Sequence, residues 1–159
     1  MNYRQGGLGA AIGTEFTFDT SLPPIRLAMT NCTVANNAHT GLGPQIGAIH
    51  LQGCEEIFIT NGIFWGNTGG GGDVEARQIF LGTQDRSGNP VTRRVTSCCI
   101  QGLGANPPGL DTATNIATDP QFVDPALKNF RLKPGTPCID RGLNIVDVDP
   151  ASPGLQKLP

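Results

Sequence analysis

The sequence predicts an all-β chain folded as a parallel β-helix, a solenoid of about three to four rungs closed by an irregular C-terminal cap. Three observations lead there. The first is an internal repeat: "TNCTVANN" at 30–37 returns as "TNGIFWGN" at 60–67 and, more loosely, as "TSCCIQGL" at 96–103. Self-similarity at a fixed period marks stacked units that bury a continuous core. The second is composition. Twenty-two glycines and 13 prolines against one Trp and one Tyr in 159 residues favour turns and slim strands over packed helices. The third is period-two alternation inside the short runs that lie between Gly and Asn, which is the signature of strands. Stacked β-units of this kind hydrogen-bond from rung to rung at roughly 4.8 Å.

Taken in chain order, the first partial copy is Gly9-Ala10-Ala11-Ile12, which resembles Gly47-Ala48-Ile49. Leu27-Ala28-Met29 falls on Ile57-Phe58-Ile59 after a shift of 30 residues. The same shift carries "AIHLQG" at 48–53 onto "QIFLGT" at 78–83, so Ile49 meets Ile79 and Leu51 meets Leu81. The third copy arrives after 36 residues, and "GTQDRSGNP" at 82–90 accounts for the surplus as a loop that bulges outward. Equivalent residues then lie over one another. Cys32, Gly62 and Cys98 form one inward column, and Val34, Phe64 and Ile100 the next. Thr33, Ile63 and Cys99 face outward, as do Ala35, Trp65 and Gln101. Asn31, Asn61 and Ser97 sit at the bend before the strand, where Asn tolerates left-handed backbone angles and stacked amides bond between rungs. Rungs occupy 1–103, a loop and capping segment 104–142, and an extended tail 143–159.

The formal net charge of −2 and a pI near 5.6 leave no basic stripe, which argues against nucleic acid or an anionic membrane as partner. No run approaches the ~20 apolar residues of a spanning helix, so membrane insertion is not expected. The first twenty residues lack the charged start and apolar middle of a signal peptide.

"ITNGIFWGN" at 59–67, "RRVTSCCIQG" at 93–102 and above all "ATDPQFVDPALKNFRLKPGTPCIDRG" at 117–142 resemble the last rungs and closing segment of right-handed parallel β-helix proteins. These are the pectin-lyase-like surface or secreted proteins of bacteria. The resemblance covers roughly residues 27 to 149 and implies a right-handed stack and an extracellular or cell-surface location. It marks architecture rather than activity, because this fold hosts lyases, hydrolases, adhesins and inert stalks. Such proteins begin many rungs earlier and continue past the "VDVD" at 146–149, so the sequence reads as a fragment or a shortened relative.

A stack ends in an exposed sheet edge that recruits other chains unless covered. The run from Asp119 to Asp140 cannot continue as regular strand, because Pro120, Pro125, Pro134 and Pro137 lack donors. It is expected to lay Phe122, Val123, Phe130, Leu132 and Ile139 across the last rung. Asp119, Asp124 and Asp140 read first as turn and cap acceptors. Their alternative reading is a calcium site, joined by Asp147 and Asp149, although no spacing here matches a dedicated loop. No other cofactor is expected. Five cysteines, Cys32, Cys54, Cys98, Cys99 and Cys138, include no C-x-x-C pair. Cys32 and Cys98 lie two rungs apart, beyond bridging distance, whereas Cys138 could bond to Cys99 or Cys54 if the cap folds back that way.

No catalytic residue is assigned. A lyase needs a base beside a cation, and a hydrolase needs clustered carboxylates on one face. Glu55 and Glu56 are adjacent and so point to opposite faces, and Asp73 and Glu75 flank the glycine run at 69–72. His50 is a lone candidate acid, base or ligand contact, with Phe80 one rung later; a satisfied surface histidine is the plainer reading. Arg93 and Arg94 stand where the previous rung has Ile57 and Phe58, so one of them breaks the apolar column. Trp65, outward beside Ile63, is the residue singled out for binding as a platform on which a sugar ring stacks. The competing reading has the loop after residue 67 or the tail after residue 142 covering that patch. The expected function is a non-enzymatic structural or adhesive module of an exported or surface bacterial protein, binding carbohydrate on an outer face. The alternatives are a fragment of a polysaccharide lyase or glycoside hydrolase, and a unit that self-associates end to end through its open N-terminal edge.

Overall fold

The computed structural model of the protein describes residues 9–14, 21–39, 47–69, 73–104, 110, 112–143, 145–147 and 155–157. The chain makes three passes. The first holds β1 (Gly9–Thr14), β2 (Arg26–Thr30), β3 (Thr33–Ala35) and β4 (Ala38–His39). The second holds β5 (Gly47–Gly53), β6 (Glu56–Thr60), β7 (Ile63–Trp65) and β8 (Thr68–Gly69). The third holds the helix α1 (Val74–Gln78), then β9 (Ile79–Asp85), β10 (Thr92–Thr96) and β11 (Cys99–Ile100). Each pass adds one strand to each of three short parallel sheets, ordered β1-β5-β9, β2-β6-β10 and β3-β7-β11, with β4 and β8 as a further parallel pair.

The register is the one the repeat dictates. Leu27, Ala28 and Met29 pair with Ile57, Phe58 and Ile59, and Ile49 and Leu51 with Ile79 and Leu81. Gly9 pairs with Gly47 and Ile12 with Ile49 across a bulge, which absorbs the extra alanine of the first copy. Two corners repeat with it. Asn31, Asn61 and Ser97 have φ of 55°, 57° and 53°, and Asn36, Gly66 and Gly102 have φ of 53°, 70° and 76°. A left-handed residue at each corner turns the chain between one sheet and the next, which is why Asn, Ser and Gly recur there. Between the corners, Val34, Phe64 and Ile100 point inward and are buried with Ile49, Leu51, Ile57, Ile59 and Cys98 in one core. A second amide corner was not anticipated. The buried Asn67 side chain accepts from the Asn37 backbone N–H at 2.9 Å and donates to the Val34 carbonyl at 2.9 Å and to Gln78 Oε1 at 2.8 Å.

Several expectations need correction. The surplus at 82–90 is not a simple loop: β9 runs on to Asp85 and the chain returns as a hairpin, with Gln84 bridged to Pro90. Asp85 closes it by accepting from the backbone of Ser87 and Asn89, both at 2.8 Å. His50 is not a surface histidine. It is 1% exposed and stacked on Phe80, with ring centroids 4.7 Å apart. Ala48 and His50 are buried as well as Ile49 and Leu51, so β5 is covered on both faces, and α1 packs along it. That helix also went unanticipated. Asp73 caps it by accepting from Ala76 N–H at 2.9 Å, and buried Glu75 accepts from Gly104 N–H at 3.0 Å, tying the helix to the turn after β11. Arg93 keeps register opposite Ile57 and, half-buried, donates to the Leu81 carbonyl at 3.4 Å, while Arg94 is exposed.

The closing segment takes a different route from the one expected. The free edge of β11 is met by Ile116, which pairs with Cys99 in parallel, and by the Asn115 amide, which accepts from Cys98 N–H at 2.9 Å and donates to Val95 O at 2.8 Å. The chain then forms an antiparallel hairpin of β12 (Phe122–Asp124) and β13 (Asn129–Leu132), with the Phe122 and Phe130 rings edge to face at 5.2 Å. This hairpin lies beside the outward face of the β3-β7-β11 sheet instead of across the last pass. Phe122 is buried, but Val123 is 43% exposed, because only one face of so short a hairpin meets the stack, and Ile139, beyond the hairpin, is 42% exposed. In place of a single extended tail, β14 (Ile145–Asp147) and β15 (Leu155–Lys157) pair antiparallel; Asp149 lies outside the described residues.

Candidate functional site

The outward face of β3, β7 and β11 carries Thr33, Ile63 and Cys99 in one column and Ala35 and Trp65 in the next. The closing segment runs back along this face past all three passes. Cys99 Sγ donates to Thr118 O at 3.1 Å on the third pass. Asn61 on the second donates to Leu143 O at 2.9 Å and accepts from Leu143 N–H at 2.8 Å. Asn36 on the first donates to Pro125 O at 3.3 Å. Asn61 also donates to Asn31 Oδ1 at 3.0 Å, so the expected amide ladder exists and its second pass doubles as an anchor for the chain end.

Between sheet and segment lies an open groove of about 580 Å³ lined by Asn36, Trp65 and Gly66 on one side and by Asp119, Gln121, Phe122, Val123, Asp124, Pro125 and Lys133 on the other. Trp65 is half-buried. Among the described residues, the segment at 119–133 faces it across the groove, while most of the loop after residue 67 and of the tail after residue 142 lies outside the described residues. Asp119 and Asp124 act as the turn acceptors anticipated for them: Asp119 Oδ1 accepts from Gln121 N–H at 2.8 Å and Asp124 Oδ1 from Leu127 N–H at 3.1 Å. Each carboxylate is thereby held at the groove wall. Asp140, with φ of 58°, is exposed and lies outside the groove. Among the described residues no group of three or more His, Cys, Asp or Glu side chains is arranged to hold a metal ion.

The three residues singled out for ligand binding are thus divided. Trp65 lines the groove, His50 is buried in the β1-β5-β9 sheet, and Ile63 lines a second, smaller cavity of about 180 Å³ with Cys99, Cys138 and Arg141. Asn36, Gln121 and Lys133 complete the groove and were not anticipated. A signal for Asn36 exists in the repeat, since it aligns with Gly66 thirty residues on, and Gly66 leaves room where a Cβ would strike the Asn36 amide oxygen.

The arrangement offers an aromatic face, amide donors and acceptors, two carboxylates and one cation around an open trough. Strongly shifted thiols lie nearby: burial pushes Cys98 up to about 11, and burial, then the neighbouring Cys138 thiol and the Asp119 charge, push Cys99 higher. No helix among the described residues is long and apolar enough to cross a membrane. No protein-family model matches the chain, and comparison with curated proteins and with solved structures finds no match.

Proposed function

We propose that this chain is a right-handed parallel β-helix module of an exported or cell-surface bacterial protein, with a structural or adhesive role, and that it binds carbohydrate in the Trp65 groove. The observation that carries the reading is the company Trp65 keeps: Asn36, Gln121, Asp119, Asp124 and Lys133 line the same trough. Sugars present apolar C–H faces rimmed by hydroxyls, and a ring face bordered by amides and carboxylates matches both. The solenoid part of the reading is supported by three parallel sheets fed in turn by each pass. Its hand is supported by the rule that parallel crossovers in one sheet are right-handed in about 98% of cases.

The test is a glycan array probed with the full chain, followed by titration of the best ligands. Trp65→Ala is expected to weaken binding on the order of tenfold or more, and Arg94→Ala, on exposed β10, to leave it unchanged. Absence of binding, or binding indifferent to Trp65, would sink the proposal.

A second reading has an observation of its own. Asp119 and Asp124 share the groove, and paired carboxylates are what a glycoside hydrolase uses. Both are engaged by backbone N–H groups, which favours binding over turnover. Assaying bound glycans for new reducing ends or unsaturated products separates the two. The self-association reading rests on β1, β2 and β3, each standing at the end of its sheet. Light scattering after size exclusion reads it directly, as a mass that grows with concentration.

A further inference from the structure

The five cysteines are distributed unequally. Cys98 points into the core, where its Sγ donates to Thr96 O at 3.2 Å and accepts from Gly62 N–H at 3.3 Å. Cys54 lies near Thr14, 3.6 Å from its Oγ1, and Cys32 donates to its own corner at Thr30 O, at 3.3 Å. Cys99 and Cys138 are different: both are free thiols, and both line the cavity of about 180 Å³ under the closing segment. Cys138 is held there from both sides. Thr136 Oγ1 donates to Pro120 O at 2.7 Å and accepts from Cys138 N–H at 3.4 Å, and Leu143 is clamped to Asn61. Cys99 is fixed by its strand pairing to Ile63 and Ile116.

We propose that Cys99 and Cys138 are a disulfide-forming site, oxidised by exchange with a small-molecule disulfide, and that the bond staples the closing segment to the third pass. The exchange has two steps. The Cys138 thiolate, on the half-buried side, attacks one sulfur of the reagent, forming a mixed disulfide and expelling one thiolate, which takes up a proton. The Cys99 thiolate then attacks the Cys138 sulfur and expels the second thiolate. Two cysteine thiols lose two protons and two electrons, and the reagent disulfide gains both as two thiols. Burial and its neighbours raise the Cys99 thiol, so its thiolate is scarce and the second step is the slower of the two. Closure is therefore expected to quicken as pH rises.

The test uses the full wild-type chain, treated with oxidised glutathione, quenched by alkylation and mapped by tryptic mass spectrometry. Cleavage after Arg94, Lys128, Arg131 and Arg141 puts the two residues on different peptides, and fragmentation separates Cys98 from Cys99. The expected result is a linked pair of peptides joining Cys99 to Cys138, three of the five thiols still alkylatable, and a melting temperature raised by roughly 5 °C or more over the reduced chain. Cys138→Ser and Cys99→Ser should each abolish that rise, and Cys32→Ser should keep it. Five alkylatable thiols, a persistent glutathione adduct on Cys138, or a link between other cysteines would overturn the proposal, and none of these outcomes depends on whether the Trp65 groove binds sugar.

Discussion

At the scale of single residues, Asn61 carries more than any other side chain outside the core. It holds a left-handed corner at φ 57°, bonds upward to Asn31 and clamps Leu143. Asn61→Ala is expected to lose roughly 1–3 kcal/mol, from the lost hydrogen bonds and the strained φ together. Asn61→Gly removes the bonds but relaxes the backbone, so the gap between the two urea midpoints measures the strain less the chain entropy that glycine adds to the unfolded state. Two other residues set the pH range. For Asp85, burial works to raise the carboxyl, but the hydrogen bonds from Asn89, Ser87 and Gly88 outweigh it and hold it below the ordinary 3.8. A lowered carboxyl contributes stability that is complete above that ordinary value and is lost as pH falls through the lowered one, so Asp85→Asn should flatten the acid limb of a stability profile. Cys98 acts at the other limb. Its thiol is raised by burial from 9.0 to about 11, so the folded state is favoured in full below pH 9 and loses roughly 2–3 kcal/mol as pH climbs from 9 to 11. Cys98→Ala should make that alkaline slope shallower, read by urea unfolding at stepped pH, with Cys99, also raised by burial, still contributing.

At the scale of elements, the strands and their register are legible in the sequence because stacking places chemically equivalent residues one above another. Thr30 over Thr60 and Ile49 over Ile79 needed only a shift of thirty. The second corner was not anticipated, although Asn37 and Asn67 obey the same shift and so carried a signal for it. The burial of His50 was not legible. Alternation tells which face of a strand a residue occupies, but not whether a later element comes to lie on that face, and here the five-residue α1 packs on β5. A helix that short carries too few residues for a period of 3.6 to register. The joint between helix and corner is testable. Gln78→Leu keeps its volume but strips the acceptor that Asn67 uses twice, at 3.1 and 2.8 Å. A loss of about 2–5 kcal/mol is expected, since two buried donors lose their partner. The double variant with Asn67→Leu should lose less than the sum of the singles, because it removes both halves of the network.

For the whole molecule, a closing segment was legible from its prolines and aspartates, but its path was not. Composition says that residues 119–140 cannot extend the stack; it does not say whether they cross its end or run along its side. The groove follows from the second choice, since one of its walls is the segment itself and the other is Trp65 with its corner neighbours. A chain ending at Thr118 uncovers both Trp65 and Cys99, and is expected to bind a hydrophobic dye and to scatter light as a polymer. A well-behaved monomer of that length would show that the segment shapes the groove without protecting the sheet. The side-on path has one more consequence. A solenoid whose units touch only their neighbours frays from its ends, and its amide protons exchange in a gradient from the outer units inward. Here one strip of chain is tied to Asn36, Asn61 and Cys99, one on each pass, so no pass can open alone without breaking a tie to the strip. The strip acts as a splint, and deuterium should enter all three passes at nearly one rate.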